Sequence, residues 1–220
     1  MKGSRRHGVL WALLGALMSS KYPTPLHLSD NRALLLGSAE MNIILPKLAI
    51  PLPGPIIQFA FVVGNLDRAL DHWVSLGVGP FFRRTRVQYS FARYRGETTQ
   101  MDFSAALAYS GNIQIELIAQ NCRSPSVYRE FLDEGLEGLH HVLIAVPDLE
   151  QYRRSIAGRP LSVLGEIGHE TGGVLYVRGE EQRWPLLEVG QFGERVFGLF
   201  DMLKTASETW DGTNAVRSLD

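Results

Sequence analysis

The ten residues HVLIAVPDLE at 141–150 can be laid over QFAFVVGNLD at 58–67 with a constant offset of 83 residues. Each copy reads as a short apolar run rich in β-branched and aromatic residues, then a break, then a helix start. That match predicts a duplicated unit. Behind the first copy, whose strand is expected over 57–63, Leu66, Leu70, Trp73 and Leu76 fall at helical spacing, and GVGP at 77–80 stops the helix. Three strand candidates follow at 81–89, 101–109 and 112–118, the last two parted by the Ser110-Gly111 turn signal. Behind the second copy come a shorter helix near 149–157 and strand candidates at 161–167, 173–178 and 185–189. The closing strands match as well, IELI at 115–118 against LEVG at 187–190. Both units therefore read β-α-β-β-β, which predicts an α+β fold of paired βαβββ modules. From first-strand start to closing Glu the first takes 58 residues and the second 47. The difference of 11 is expected in loops, which absorb length changes at small cost.

The rest of the chain is organised around these modules. LPKLAIPLPGP at 45–55 carries four prolines, which donate no backbone hydrogen bond and fix φ, so it reads as an extended lead-in. The expected division is a leader and proline-rich lead-in over 1–54, partly without order, and a first module over 55–123. A linker helix over 124–137, capped by Ser124 or Ser126, a second module over 138–191, and a C-terminal helix and tail over 192–220 complete it. Lys2, Arg5 and Arg6 ahead of the apolar run at 9–18 resemble an export signal, yet no clean small-x-small site follows around Ala16, Met18 and Ser20. Met41 is an alternative start, and the run at 9–18 is too short to span a bilayer. The expected location is the cytoplasm, with no membrane partner.

Composition narrows the classes. With 220 residues, 45% hydrophobic and 20% charged, the chain is ordinary for a globular protein, which excludes a disordered or fibrous one. A formal net charge of −1 leaves no basic stripe to neutralise phosphates, so no nucleic-acid partner is expected. One cysteine, Cys122, excludes an intrachain disulfide and any CxxC pair, and it reads as a passive residue at a strand end.

The repeats carry the chemistry. Each places a potential ligand at the start of its first strand and another in its closing strand: Gln58 with Glu116, and His141 with Glu188. One imidazole, two carboxylates and an amide oxygen suit a borderline or hard divalent ion with coordination positions to spare. A Glu inside IQIELIA or PLLEVG pays a desolvation penalty of several kcal/mol if left unpaired. One such Glu can be met by an arginine; two at equivalent repeat positions favour a shared cation. His140 and His141 compete for the histidine place. The offset of 83 selects His141, and His140 then faces away or supports it from behind.

The segments GLHHVLIAVPDLE, NIQIELI and PLLEVG resemble the metal-site segments of the vicinal oxygen chelate superfamily, which includes glyoxalases, bleomycin resistance proteins and methylmalonyl-CoA epimerases. The likeness spans roughly residues 56–190. It implies a U-shaped mixed sheet around one metal site, with zinc, nickel, cobalt, manganese or iron as the ion. It also implies a lyase or isomerase, glyoxalase-like or epimerase-like, that abstracts a proton next to a chelated carbonyl through an enolate. In that course Glu188 is the base and Glu116 its symmetry counterpart. An epimerase-like course needs a base outside the ligand set, for which Asp102 is the candidate. The substrate is a small molecule, with a thioester or thiol adduct as one option, and the family's fold is compatible with a homodimer. Tyr109, Phe59, Phe61 and Trp184 read as core first and pocket lining second. The rival readings are a non-catalytic drug-sequestering protein on the same fold, which generally lacks the four ligands, and an extradiol-type dioxygenase. The second needs two histidines and one carboxylate, and Gln58 stands where the second histidine belongs.

Overall fold

The computed structural model describes residues 51–169, 172–181 and 183–220. The basic and apolar leader, Met41 and the proline-rich segment before residue 51 lie outside the described residues.

The first module runs β1 (Ile56–Val62), α1 (Leu66–Ser75), β2 (Phe81–Arg84), β3 (Phe91–Tyr94), β4 (Glu97–Thr98), β5 (Phe103–Ser110) and β6 (Ile113–Gln120). Helix α2 (Val127–Asp133) leads to the second, β7 (Gly138–Ala145), α3 (Leu149–Ser155), β8 (Leu161–His169), β9 (Gly172–Gly179) and β10 (Leu186–Gln191). Helix α4 (Glu194–Glu208) and β11 (Val216–Ser218) follow. The duplicated stretches start their helices alike. Asn65 accepts from the Arg68 amide at 2.9 Å, and Asp148 from the Gln151 amide at 2.8 Å, each satisfying an amide that the first helical turn leaves unpaired. None of the helices among the described residues is long and apolar enough to cross a membrane.

All the strands join one sheet in the order β11-β2-β5-β6-β1-β7-β10-β9-β8-β3-β4. At its centre β1 and β7, the first strands of the two modules, pair antiparallel, and each is flanked by its own closing strand in parallel, β6 beside β1 and β10 beside β7. One apolar core draws on Phe103 and Ala105 of β5, Ala60 and Val62 of β1, Leu186 of β10, Tyr176 of β9, Leu164 and Ile167 of β8 and Ala92 of β3. Strands so far apart in the order share a core only if the sheet curls into a trough. Helix α2 lies in that trough, burying Val127, Tyr128 and Phe131. On the outer face α1 covers the first module over Phe81, Ala106, Ile115 and Leu117. The second module carries its own outer cluster, Ile144, Leu175 and Val189 with Ile156 and half-buried Leu149 and Tyr152. Phe59 and Phe61 belong to the outer layer, where Phe61 meets Trp73 edge-on at 5.0 Å, so they line no pocket in the trough.

The first module departs from its sequence reading over 81–101. A single strand over 81–89 is expected there, but β2 ends at Arg84 and the chain crosses the trough to build the β3–β4 hairpin. That hairpin pairs with β8 of the other module, Phe91 opposite Gly168. Of residues 85–102, which join β2 to β5, six lie in β3 and β4 and twelve outside them, so the extra length of the first module is a connection that carries a small hairpin. Its two-residue turn has Arg95 at φ 51° and Gly96 at φ 85°, both left-handed, the geometry that matches the twist of a tight hairpin. Arg95 tolerates this conformation because it is tied down: its guanidinium donates to the Tyr94 hydroxyl at 2.9 Å and to Glu130 at 3.0 Å. Glu130 on α2 also meets Tyr94 and, from β9, Arg178 at 3.2 Å. Gly168 is required opposite the hairpin, since a Cβ there would stand 2.0 Å from the Phe91 ring. At the other edge β11 pairs with β2 in parallel, an extension that the C-terminal tail did not signal in sequence.

Replacing Glu130 with Ala is expected to release the hairpin while the central strands hold. Amide exchange should speed up over residues 91–98 and stay slow in β1 and β7; unchanged protection of the hairpin would show that these charges do not hold it.

Candidate metal centre

Strand pairing places the four ligand candidates. Opposite Glu116 in β6 stands Ala60 of β1, and opposite Ala60 on its other side stands His141 of β7. Opposite Glu188 in β10 stands Leu143 of β7, and beyond Leu143 stands Gln58 of β1. Ala60 is two residues after Gln58, and Leu143 two after His141, so both modules use the same arrangement: a first-strand ligand, a floor residue two positions on, and the closing Glu beside that floor residue. Residues two apart in a strand share a face, and directly paired residues share it too. All four side chains thus rise from the trough face, and Ala60, fully buried with a single methyl, leaves room above it.

Ligand atoms of Glu116, His141 and Glu188 all lie within 4.8 Å of one another. His141 Nε2 is 2.5 Å from Glu188 Oε2 and 3.8 Å from Glu116 Oε2. His141 is fully buried and the Glu188 side chain nearly so, while the Glu116 side chain keeps 17% exposure, so the cluster communicates with solvent on the Glu116 side. Gln58, also buried, donates its Nε2–H to Gln114 Oε1 at 2.6 Å, which leaves its Oε1 buried without a hydrogen-bond partner. His141 Nε2 is buried without one as well.

Polar atoms of this kind are costly to bury unpaired. Here two orphaned acceptors sit on the same sheet face as two carboxylates, which are themselves acceptors when ionised. What this donor set lacks is positive charge, and a divalent cation among Gln58 Oε1, Glu116, His141 Nε2 and Glu188 fits it. The same set without a cation must keep its protons. Burial pushes the Glu188 carboxyl up to about 8, partly opposed by a hydrogen bond from the Tyr176 hydroxyl. Burial first, and the neighbouring Glu188 second, push Glu116 well above the usual carboxylate range. Burial lowers His141 to about 3.

Asp102, the candidate for a base outside the ligand set, does not join the cluster. It precedes β5 and is held by Arg86, with Nη2 2.7 Å from Oδ2 and Nε 3.3 Å from Oδ1. The Arg86 hydrogen bond keeps its carboxyl below the usual range, the wrong direction for a base at neutral pH. It lines a separate cleft of about 540 Å³ with Arg86, Tyr89, Met101 and Cys122, and none of the clustered residues lines that cleft. Cys122 Sγ there accepts from the Asp102 amide at 3.2 Å. Trp184 packs against Phe131 at 4.8 Å between ring centres, and the Tyr109 amide donates to Ser207 of α4 at 3.2 Å.

Sequence reading missed three residues at the cluster. Gln114 orients the Gln58 amide, and a period of two puts it on the same face as Glu116. Tyr176, opposite Glu188 in β9, hydrogen-bonds that carboxylate, and its hydroxyl is 2.6 Å from that of Tyr128 on α2. Both tyrosines look like core residues in sequence, since nothing local marks a phenol that meets a buried carboxylate.

A family model described as Glyoxalase/Bleomycin resistance protein/Dioxygenase superfamily matches residues 57–175. No curated protein sequence matches the chain. Among solved structures, a hypothetical protein from Bacillus halodurans is similar at 17% identity and a TM-score of 0.47, over 65% of this chain and 97% of that one. Methylmalonyl-CoA epimerase from Mycobacterium tuberculosis is similar at 17% identity and a TM-score of 0.44, over 66% and 91%. A Streptomyces coelicolor methylmalonyl-CoA epimerase in complex with 2-nitronate-propionyl-CoA follows at 13% and 0.41, over 63% and 94%.

The elevated Glu188 value makes one contribution to the pH dependence of the chelated protein. Between the ordinary carboxylate value of 4.5 and about 8, the folded chain keeps a proton that the unfolded chain has released. The stabilisation is complete below the lower value and lost as pH rises through the upper one. Burial of His141 acts in the opposite direction between about 3 and 6.5, so thermal midpoints measured with chelator present should fall only as pH rises from 6.5 to about 8, and Glu188→Gln should reduce that slope. An equally steep slope in the variant would contradict the assignment.

Proposed function

The chain belongs to the glyoxalase/bleomycin resistance protein/dioxygenase superfamily, and we propose that within it this protein is a divalent-metal-dependent lyase or isomerase, glyoxalase-like or epimerase-like, that moves a proton next to a carbonyl. The observation that carries the proposal is the buried group of Glu116, His141 and Glu188, with ligand atoms within 4.8 Å, beside the orphaned Gln58 Oε1. Gln58, Glu116, His141 and Glu188 would hold the ion. Bound there, a divalent cation supplies Lewis-acid polarisation of substrate oxygens, which makes a carbon acid next to a carbonyl accessible to a carboxylate.

The protein's own groups do the rest. Glu188 serves as the base at Oε2, steadied by the Tyr176 hydroxyl and kept from water by the trough. A base works best when its pKa lies near the operating pH, and burial moves this carboxyl in that direction. Glu116 reaches the same point from the other module and is the more open of the two. Glu188 alone suffices for an isomerisation in which the abstracted proton returns to the adjoining carbon. In an epimerisation Glu116 delivers a proton to the face opposite Glu188, so that a base outside the cluster is not needed. The substrate class is a small molecule with a proton next to a carbonyl and a second oxygen nearby, thioesters and thiol adducts included. A drug-sequestering role gains nothing from burying two carboxylates against an imidazole. An extradiol dioxygenase calls for two histidines and one carboxylate, and this set has the reverse.

Deuterium exchange tests the proposal. Metal-loaded protein incubated in deuterated water with 2-hydroxyacyl, 2-methylacyl or hemithioacetal compounds should introduce label at the carbon next to the carbonyl. Glu188→Gln should lower that exchange by about 10²–10⁴-fold. Absence of label with every compound, from protein shown to contain stoichiometric metal, would refute the proton-transfer reading.

A further inference from the structure

We propose that His140 is a positioning residue that fixes His141 in its Nδ1–H tautomer, so that the Nε2 lone pair faces Glu116 and Glu188. The inference deepens the proposed function and rests on it for the identity of the ion.

The argument runs outward from a backbone carbonyl. Val127 is the first residue of α2, seated by Ser126, whose hydroxyl oxygen accepts from the Arg129 amide at 2.9 Å. The Val127 carbonyl, which can only accept, lies 3.1 Å from His140 Nε2, so that nitrogen must carry a hydrogen and donate it. In a neutral imidazole with Nε2 protonated, Nδ1 is an acceptor. His140 Nδ1 is 2.8 Å from His141 Nδ1, and one of the two must donate. His140 has already spent its proton on Val127, so His141 Nδ1 carries the hydrogen. The other nitrogen of a neutral His141 ring is then bare, and it is the Nε2 that stands beside the two carboxylates.

The surroundings hold this relay in place. Both imidazoles are fully buried, and the rings of Phe131, Trp184 and Tyr128 stand 5.1, 5.0 and 5.5 Å from that of His140. Without His140 the tautomer preference would reverse, because Nε2–H could then donate to Glu188. A protonated Nε2 cannot bind a cation, so the neighbouring histidine decides which species the cluster accepts. Partners behind a ligating imidazole typically change metal affinity by about 10–100-fold when removed.

The test uses chelated full-length protein carrying ring-¹⁵N histidine, followed by titration with cobalt(II). In the wild-type protein, ¹⁵N shifts assigned with His141→Gln should show His140 protonated on Nε2 and His141 on Nδ1. His140→Phe keeps the ring within its aromatic surroundings and removes the acceptor. His141 should shift toward the Nε2–H form, and cobalt(II) affinity should fall by about 10–100-fold. His140→Asn, whose Oδ1 can accept where the imidazole Nδ1 did, should recover most of that loss. Finding His141 as Nε2–H in the wild-type protein overturns the inference without recourse to any variant. So does a folded His140→Phe protein that binds cobalt(II) as tightly as the wild type. Failure of the wild type to bind cobalt(II) would strike the proposed function instead, while the tautomer measurement on chelated protein would still decide the role of His140.

Discussion

Two carboxylates and an imidazole buried within reach of one another impose the constraint that shapes this molecule. Taking an ionised carboxylate out of water costs several kcal/mol even after relaxation, and placing a second one beside it adds repulsion that a dry pocket does not screen. The chain can hold Glu116 and Glu188 together only by keeping protons on them or by placing a positive charge between them. No lysine or arginine is paired with either carboxylate among the described residues. The nearby polar atoms point the same way, since Gln58 Oε1 and His141 Nε2 are buried without a hydrogen-bond partner.

Duplication is what makes such a cluster buildable. A single module offers one first-strand ligand and one closing Glu, too few to satisfy a cation. Pairing β1 against β7 makes the two halves abut at their first strands, so that each floor residue is flanked by one candidate ligand from its own half and one from the other. Ala60 and Leu143 occupy equivalent places but differ in size. Glu116 and His141 flank the methyl, and Gln58 and Glu188 flank the larger side chain. The linker helix between the halves then fills the trough and presents the Val127 carbonyl to His140, so the connection between modules also helps to shape the site.

What could be read from the chain depended on how local its causes were. The four ligand candidates were legible because strands alternate with a period of two and because one offset aligned both halves; Gln58 would be unremarkable without His141 to match it. The choice between His140 and His141 turned on a single residue of register. Parity alone would put His140 on the face opposite His141, but a register irregularity in β7, with Leu139 opposite Phe61 and His141 opposite Ala60, lets both rings reach the trough, where His140 meets the backbone of a separate helix. Asp102 stands apart from the cluster and is held by Arg86, which a crossing segment with no apolar pattern places beside it. The hairpin was illegible for a related reason. FARYRGET lacks an apolar run, an Arg95-Gly96 turn is not a usual hairpin signal, and the strand it pairs with lies some seventy residues further on. Tyr128 and Tyr176 carry roles that only tertiary proximity reveals.

The hairpin belongs to one half by covalent bonds and to the other by hydrogen bonds, and this has a consequence for synthesis. Contacts between residues distant in sequence form late, since the loop between them must first be closed. A nascent chain that has emerged only as far as the linker therefore carries β3 with an unpaired edge and with Phe91 bare of the Gly168 surface it will cover. Such an edge is a template for association with other chains. Arg93 and Arg95 put charge on that edge, a feature that disfavours such association.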